Sequence, residues 1–370
     1  MKIKKLFQNL FKNVFYIIFK FFYGTINCNE TLNSKDNINI HEIDNKNIIS
    51  FFGIKYKVYQ IRNGRIYNDN VQNVAIINNN NIIQGPSYQQ VEGELKTIKH
   101  NICVKIGTPR VKKKFNGRVL NMAQGASGHK NYSHWLLDML PKLKLYDEIF
   151  SFKDLNYIYL NKLENFQKCS LELLGLKYLK IIDSDQYRHI QCEDLISTDH
   201  PSYFNGFILD QAQNIPEWVV YWLRDSFLGK SEKIDCKEKV FIDRSGSSFK
   251  HSQIINYDQT INFLKDKGFE ILKLEKKSFL EQVSIFYNAK VVVGAHGAGL
   301  ANICFSKSKS RIIEIRSSEP GYAYQNREYE RIAKINNLNY TLYSTPFIND
   351  KNLNGDLNVN IDKLNSYLND

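Results

Sequence analysis

The segment Val291–Asn302, VVVGAHGAGLAN, joins a short apolar run to a glycine-rich turn that carries one histidine. The β-branched residues at its start predict a buried strand. Gly294, Gly297 and Gly299 allow φ above zero and leave no Cβ in the way of a ligand. N–H groups at the start of a following helix suit phosphate oxygens, and His296 can donate a further hydrogen bond. The turn therefore predicts a phosphate-binding site; the structural alternative is a tight turn around a packed histidine.

Four more polar residues are candidates for the same site. Arg244 follows the apolar run VFI, and Lys250 lies in the Ser/Gly-rich loop after it. Both basic side chains are expected to neutralise phosphate charge. Glu314 lies in the run RIIEI, where an acidic side chain can hold ribose hydroxyls, as in other nucleotide-binding sheets. Asn302 is expected either to contact the ligand or to cap the helix.

A histidine and a carboxylate are spaced for general-base chemistry in SHWLLDML. If this segment is an α-helix, His134 and Asp138 are four residues apart and share one face. A histidine held by a carboxylate becomes more basic and can remove a proton from a hydroxyl. Pro141 should end or kink the helix. The alternative is structural: Asp138 bonds nearby backbone and His134 fills a gap in the core. The sequence does not decide which of the two would be the base.

Alternating strands and helices are predicted around the glycine turn. The capping-box pattern of Ser278 and Glu281 begins one of these helices. The predicted strands of this half are VFI, FEILKL, VVV, RIIEI and YTLY. Such alternation indicates βαβ units and a parallel sheet, in which ligands bind beyond the carboxyl ends of the strands. In the first half, KYKVYQI, VAIIN, ICVKI and RVLNM predict a β-rich start.

These blocks, together with GHKNYSHWLLDMLPKL, resemble glycosyltransferase family 61. The family includes capsular-polysaccharide transferases of bacteria, plant cell-wall xylosyltransferases and protein-modifying N-acetylglucosaminyltransferases. The similar blocks are SHWLLDMLPKL, the FIDR strand end, SFLEQVSIFYNAKVVVGAHGAGLAN and IIEI, in the family's order over roughly Met122–Arg316. The resemblance implies an α/β, GT-B-like fold of two Rossmann-like domains. It also implies an inverting transfer from a nucleotide-sugar and a C-terminal donor site that needs no metal.

The chain departs from the family pattern at two places. The family often has a second arginine and an Asn-Glu pair after FIDR; here the sequence has Lys250–His251 and Asn256–Tyr257. A lysine can still face a diphosphate as a point charge. The identity of the donor sugar therefore stays open.

Composition limits the partners. A chain of 370 residues with a net charge of +12 is long enough for two domains, and its basic balance suits an anionic membrane surface or a phosphate-bearing donor. The lysine excess also fits an AT-rich genome, since asparagine and isoleucine are abundant too. We expect no nucleic acid partner, because the basic residues form no compact stripe beyond Lys112–Lys114. The six scattered cysteines form no C-x-x-C or Cys/His cluster, so we expect no metal and no required disulfide.

The N-terminus is predicted to be an amphipathic membrane-interface segment over residues 1–25. Four lysines occur in its first twelve residues, and its longest apolar stretch, Val14–Phe19, is too short to span a bilayer. The alternative is a first helix packed on the fold. We further expect an acceptor-side domain over 45–230, a nucleotide-sugar-binding domain over 231–348 and a polar tail with a weak helix over 349–370.

The sequence thus predicts a cytoplasmic, membrane-peripheral inverting glycosyltransferase. It would move a sugar from a nucleotide-sugar, expected to be UDP-linked, to a polysaccharide, glycolipid or glycan, without another cofactor. Two other classes stay open. A dinucleotide-binding oxidoreductase would favour G-x-G-x-x-G, whereas the turn has G-x-x-G-x-G. A non-catalytic sugar-nucleotide-binding module would not need the His134–Asp138 pair.

Overall fold

A computed structural model describes most of the chain. The described residues are 2–28, 37–70, 73–91, 93–125, 130–204, 206–230, 236–247, 252–318, 326–348 and 355–369. Its strands, β1 to β17 in chain order, are Ile38–Glu42, Lys57–Arg62, Arg65–Asn70, Asn73–Asn78, Asn81–Ile82, Gln89–Val91, Glu94–Lys96, Lys113–Asn121, Tyr157–Leu160, Lys180–Asp183, His189–Thr198, Gly206–Phe207, Lys239–Ile242, Glu270–Leu272, Val291–Ala295, Arg311–Ser317 and Asn339–Thr345. Its α-helices, α1 to α11, are Lys2–Tyr23, Ile102–Ile106, Tyr132–His134, Pro141–Asp147, Asn165–Leu173, Ile208–Ala212, Glu217–Phe227, Tyr257–Asp266, Phe279–Asn288, Glu328–Ile335 and Ile361–Asn369.

The first compact unit comprises residues 1–130, 138–164 and 176–211. Its main sheet is mixed and has the strand order β10-β9-β8-β11-β3-β4-β5, with β2 joining β1 to β11. Strands β8 to β11 pair in parallel, and the pairs formed by β1 to β5 are antiparallel. Ile61, Val119 and Leu195 are fully buried in its core. The β-rich start that the sequence predicts is therefore present.

One predicted strand in this unit is wrong. ICVKI forms helix α2, because the Asn101 side chain accepts a hydrogen bond from the N–H of Cys103 at 3.1 Å and caps the helix. Gly107, at a φ of +70°, ends it. Five residues are too few to separate a period of 2 from a period of 3.6, so the caps decide.

The second compact unit comprises residues 131–137, 165–175 and 212–370. Its sheet has five parallel strands in the order β14-β13-β15-β16-β17, which confirms the predicted parallel sheet. The capping box of Ser278 and Glu281 is also confirmed. After the glycine turn the chain forms a 3₁₀-helix over Ala298–Phe305. The helix predicted there is thus present in its tighter form.

The described part of the C-terminal segment joins the core of the second unit. Helix α11 forms where a weak helix is predicted, and Leu357, Val359 and Leu364 are buried. Both compact units are discontinuous in sequence, unlike the contiguous ranges 45–230, 231–348 and 349–370. Those domain boundaries and the GT-B arrangement of two Rossmann-like domains stay predictions.

The N-terminal segment forms the long helix α1, whose last turns contact the first unit. Lys20 Nζ donates to the carbonyl of Lys105 at 3.0 Å, and the Tyr23 hydroxyl accepts from the N–H of Lys112 at 3.1 Å. The apolar stripe of α1 (Leu10, Val14, Ile17 and Phe21) is exposed along one face. In the described ranges no helix combines the length and apolarity needed to cross a membrane.

Candidate active site

The parallel sheet brings the ends of β13 and β15 together at a topological switch point. From the carboxyl end of β13 the chain leads to β14 on one side. From the carboxyl end of the neighbouring strand β15 it leads to β16 on the other side, so the two connections run in opposite directions. Open α/β sheets bind ligands in the crevice at such a point. Ile242 pairs with Gly294, which places Arg244 and His296 on adjacent strand ends. A small cleft opens here, and Asp243, Arg244 and Tyr257 are among its lining residues.

Arg244 and His296 are in contact, as the sequence predicts for residues of one crevice. Arg244 Nη1 donates a hydrogen bond to the backbone carbonyl of His296. Gly297 makes this approach possible, because a Cβ built on it would lie 2.2 Å from Arg244 Cζ. Burial lowers the pKa of Arg244 from its ordinary value, and nearby Tyr329 opposes that effect. The guanidinium is therefore a partly buried cation beside the glycine turn.

The other two glycines of the turn leave room for apolar side chains. A Cβ on Gly294 would lie 3.2 Å from Leu300 Cδ2, and one on Gly299 would lie 2.8 Å from Leu274 Cδ1. Close packing of Leu300 and Leu274 therefore favours glycine at these two positions, in addition to the predicted role in phosphate binding.

His296 is held by a buried polar network. Its Nδ1 lies 2.5 Å from Glu314 Oε1, while the Tyr340 hydroxyl donates to the other carboxylate oxygen. Arg316 Nη2 lies 3.6 Å from that oxygen and donates to the Tyr340 hydroxyl at 3.0 Å. Burial raises the pKa of Glu314, but His296, Arg316 and Tyr340 outweigh it and hold the pKa below its usual value. Glu314 is therefore an ionised carboxylate that orients the His296 ring.

Three further predicted site residues are Glu314, Asn302 and Lys250. Both carboxylate oxygens of Glu314 already have protein partners. Its contact with ribose hydroxyls stays a prediction, and these partners would have to move to allow it. The Asn302 amide donates to Gln282 Oε1 at 3.0 Å and to the carbonyl of Gly299 at 3.1 Å, which ties it to the start of the 3₁₀-helix. Lys250 lies outside the described residues.

Asp243 and Tyr257 are parts of the crevice that the sequence does not single out. The Asp243 carboxylate accepts from the N–H and hydroxyl of Ser245 at 2.8 and 3.0 Å, and from the Tyr257 hydroxyl at 2.8 Å. Lys273 Nζ lies 3.6 Å from it. Asp243 therefore shapes the loop after Arg244. Two signals were available in the sequence: Asp243 lies beside Arg244 at a strand end, and Tyr257 stands where the family often has the second residue of an Asn-Glu pair.

The His134–Asp138 segment differs from the predicted α-helix. Helix α3 ends at His134, and Trp135–Met139 forms a π-helix, whose hydrogen bonds span five residues instead of four. Pro141 then begins α4, which confirms that the helix is interrupted there. The π turn fits the missing N–H and bulky ring of Pro141, which disfavour a regular α-helix through this point. His134 is half-buried, whereas Asp138 is only 4% exposed.

Asp138 lies in a buried charged cluster of the first unit. His200 Nε2 is 3.7 Å from Asp138 Oδ1, and His200 Nδ1 accepts from the N–H groups of Ser202 and Tyr203 at 3.0 and 2.9 Å. An Nδ1 that accepts two hydrogen bonds carries no proton, so Nε2–H faces the carboxylate. No local pattern links His200 to Asp138, so sequence reasoning missed it.

Lys142 and Asp199 complete this cluster. Lys142 is fully buried and donates to Gln124 Oε1. Burial lowers its pKa to about 7, although Asp138 and Asp199 act in the opposite direction. Burial also raises the pKa of Asp199 to about 6, against hydrogen bonds from the N–H of Lys57 and the hydroxyl of Tyr59. Asp138 therefore has the Lys142 amine and the His200 ring as neighbours within its own unit.

No group of three or more His, Cys, Asp or Glu side chains is placed to hold a metal ion within the described ranges. The expected independence from metal stays a prediction.

Comparison with known proteins bears on the crevice and the His134 segment together. The glycosyltransferase 61 family matches residues 132–313. Residues 132–313 belong to glycosyltransferase family 61. The match lies within the region of resemblance that the sequence motifs define and includes His134, Asp138, Arg244 and His296. The recognition made from those motifs is confirmed.

The family 61 region also has mammalian relatives. EGF domain-specific O-linked N-acetylglucosamine transferase of Mus musculus is 27% identical over 113 residues, which are 29% of this chain and 20% of that protein. The Rattus norvegicus protein of the same name is 27% identical over 104 residues, 27% of this chain and 19% of that protein. The chain thus matches only about a fifth of the length of these relatives.

Proposed function

We propose that the protein is an inverting glycosyltransferase that uses a nucleotide-sugar. The observation that carries the proposal is the Arg244–His296 contact at the switch point of a parallel sheet inside the family 61 region. A partly buried guanidinium there can stabilise the charge that develops on a departing nucleotide diphosphate. His296 can reach the same anion only through Nε2, because Nδ1 faces Glu314. Backbone N–H groups of the glycine turn and Lys250 would add to this binding.

His134 and Asp138 are the proposed source of the base. An inverting transfer needs one group to remove a proton from the acceptor hydroxyl while the oxygen attacks the anomeric carbon and the nucleotide diphosphate leaves. Burial favours His134, which is half-buried and accessible, over Asp138, which is 4% exposed.

The acceptor is proposed to be a polysaccharide, glycolipid or glycan, including a capsular polysaccharide, and the donor a UDP-linked sugar. The membrane part of the proposal rests on the apolar stripe of α1, which can enter the headgroup region, and on the lysine content of this segment, which attracts anionic lipid. A GT-B arrangement and a cytoplasmic, membrane-peripheral location belong to the same proposal.

The direct test incubates the purified full chain with a panel of nucleotide-sugars and a set of glycan acceptors. Release of nucleotide diphosphate with one donor, retained in excess EDTA, is the expected result. Arg244→Ala should slow that release and weaken donor binding. Reduction or oxidation of a nicotinamide cofactor in place of sugar transfer would favour the oxidoreductase instead. Binding of a nucleotide-sugar without turnover under any acceptor would favour the non-catalytic module.

A further inference from the structure

Ser252 is a buried side chain in the crevice that the proposed function has not used. It lines the cleft at the switch point together with Arg244 and Tyr257. The residue is 1% exposed, and within the described ranges its hydroxyl has no hydrogen-bond partner. Buried hydroxyls nearly always have a partner, and an exception calls for an explanation such as a ligand.

The backbone at Ser252 is strained, and the residues that follow it are held in place. Its φ is +53°, a left-handed conformation that residues with a Cβ rarely adopt. Immediately after it, the carbonyl of Gln253 accepts from the N–H of Leu357 at 2.8 Å, and Ile255 N–H donates to the carbonyl of Leu357 at 2.9 Å. The Asn256 side chain also bonds both backbone groups of Val359, at 2.8 and 2.9 Å. Strain of this kind persists where surrounding contacts fix it, and it clusters at functional sites.

The charges around the cleft favour an anionic ligand. Asp243 is the acidic residue of the lining, and its oxygens already accept from Ser245 and Tyr257, with Lys273 nearby. An incoming anion would therefore face Arg244 and hydroxyl or N–H donors. A serine hydroxyl suits this setting, because it can donate to a phosphate oxygen at hydrogen-bond distance.

We propose that the Ser252 hydroxyl donates a hydrogen bond to a phosphate oxygen of the donor's diphosphate, on the β13 side of the crevice. The inference rests on the proposed function, since it assumes that the nucleotide diphosphate binds at this switch point. It adds a phosphate-binding residue that no glycine motif marks. The positive φ holds the hydroxyl ready for the ligand before binding.

Two variants and one matched control test the inference. Ser252→Ala removes the hydroxyl but keeps a Cβ, so the backbone stays strained at a positive φ. Ser252→Gly also removes the hydroxyl, and glycine adopts a positive φ without strain. Ser306→Ala is the control, because Ser306 also has a buried hydroxyl without a partner in the described ranges and does not line the cleft. Calorimetry with UDP and with inorganic pyrophosphate, and ligand-observed NMR with uridine, measure binding to the full chain.

Both Ser252 variants should bind UDP and pyrophosphate about tenfold more weakly, the size of one hydrogen bond to a charged group. Uridine binding should be unchanged, and Ser306→Ala should match the wild type. The thermal midpoint of ligand-free Ser252→Ala should not fall, because no protein hydrogen bond is lost. Equal UDP affinity in Ser252→Ala and Ser306→Ala overturns the inference, as does an equal loss for uridine or a lower thermal midpoint. A wild-type protein that binds neither UDP nor pyrophosphate overturns the donor site itself, which is a separate failure.

Discussion

The substitution Gly297→Ala should move the Arg244 guanidinium without changing its charge. The added Cβ would lie 2.2 Å from Arg244 Cζ and from Nη1, and 2.7 Å from Nε, whereas ordinary contacts begin at 3.4 Å. All three atoms belong to one rigid plane, so the whole group must shift by about 1 Å or more. A shift of this size displaces the guanidinium from its present position beside the His296 carbonyl.

The expected loss equals one charge-assisted contact with the diphosphate. Hydrogen bonds to charged groups contribute about 1.5–3 kcal/mol, so the Kd for UDP should rise by about 10-fold to 150-fold. Arg244→Ala should weaken UDP binding by the same range. Because both changes remove one contact, the double variant should be scarcely weaker than the poorer single variant.

Calorimetry with UDP on the full chain measures these affinities, and thermal unfolding shows whether each variant is folded. Gly229→Ala is a suitable control, since a Cβ there would have no heavy atom within 4 Å. A folded Gly297→Ala protein that binds UDP as the wild type does would refute the role of Arg244. Losses that add in the double variant would show that the two residues act separately.

Three further predictions concern other parts of the molecule. Either His134→Ala or Asp138→Asn should lower turnover by about 10²–10⁴ with UDP affinity unchanged, and steady-state kinetics showing near-normal turnover in both folded variants would make the pair structural. Ile17→Asp with Phe21→Asp should release the protein from phosphatidylserine vesicles in a flotation assay, while unfolding stays the same because these side chains are 70% and 86% exposed; retention on the vesicles would contradict a membrane role for α1. Lys142 has a native pKa of about 7 and an ordinary value of 10.5, so the native state binds fewer protons than the unfolded state and stability rises with pH across that window. Urea unfolding measures this effect: between pH 7 and 9 the free energy of unfolding should rise by about 2 kcal/mol more in the wild type than in Lys142→Met. Identical pH profiles of the two proteins would contradict that pKa.

The features predicted from sequence are those that a few adjacent residues determine. The β-branched run before Gly294, the capping box at Ser278 and the interruption at Pro141 each depend on local geometry, and the structure contains all three. The convergence of Arg244 and His296 was also predictable, because the carboxyl ends of parallel strands share one edge of the sheet.

The features that the sequence leaves open depend on residues far apart in the chain. Tyr340 occupies a Glu314 oxygen from the edge strand β17, and His200 faces Asp138 from the loop after β11. Neither partner has a fixed spacing that a pattern could detect. The π turn at Trp135–Met139 was missed because α and π hydrogen-bonding use the same apolar residue types. In ICVKI the capping asparagine outweighed an alternation that was too short to be informative.

The hydrogen bonds between the Asn256 side chain and the backbone of Val359 affect the order in which this protein can fold during synthesis. The two residues are 103 positions apart, so at about 5–20 residues per second the segment that carries Ser252 is made about 5–20 seconds before its partner. During that interval the segment 252–256 lacks its backbone pairing with Leu357, which Gln253 and Ile255 form in the folded protein. Under the proposed function, a donor nucleotide should therefore stabilise the nascent chain only after Leu357 and Val359 have been synthesised. In nascent chains stalled before residue 355, protease should cut within residues 252–256. In chains that include α11, this segment should be protected.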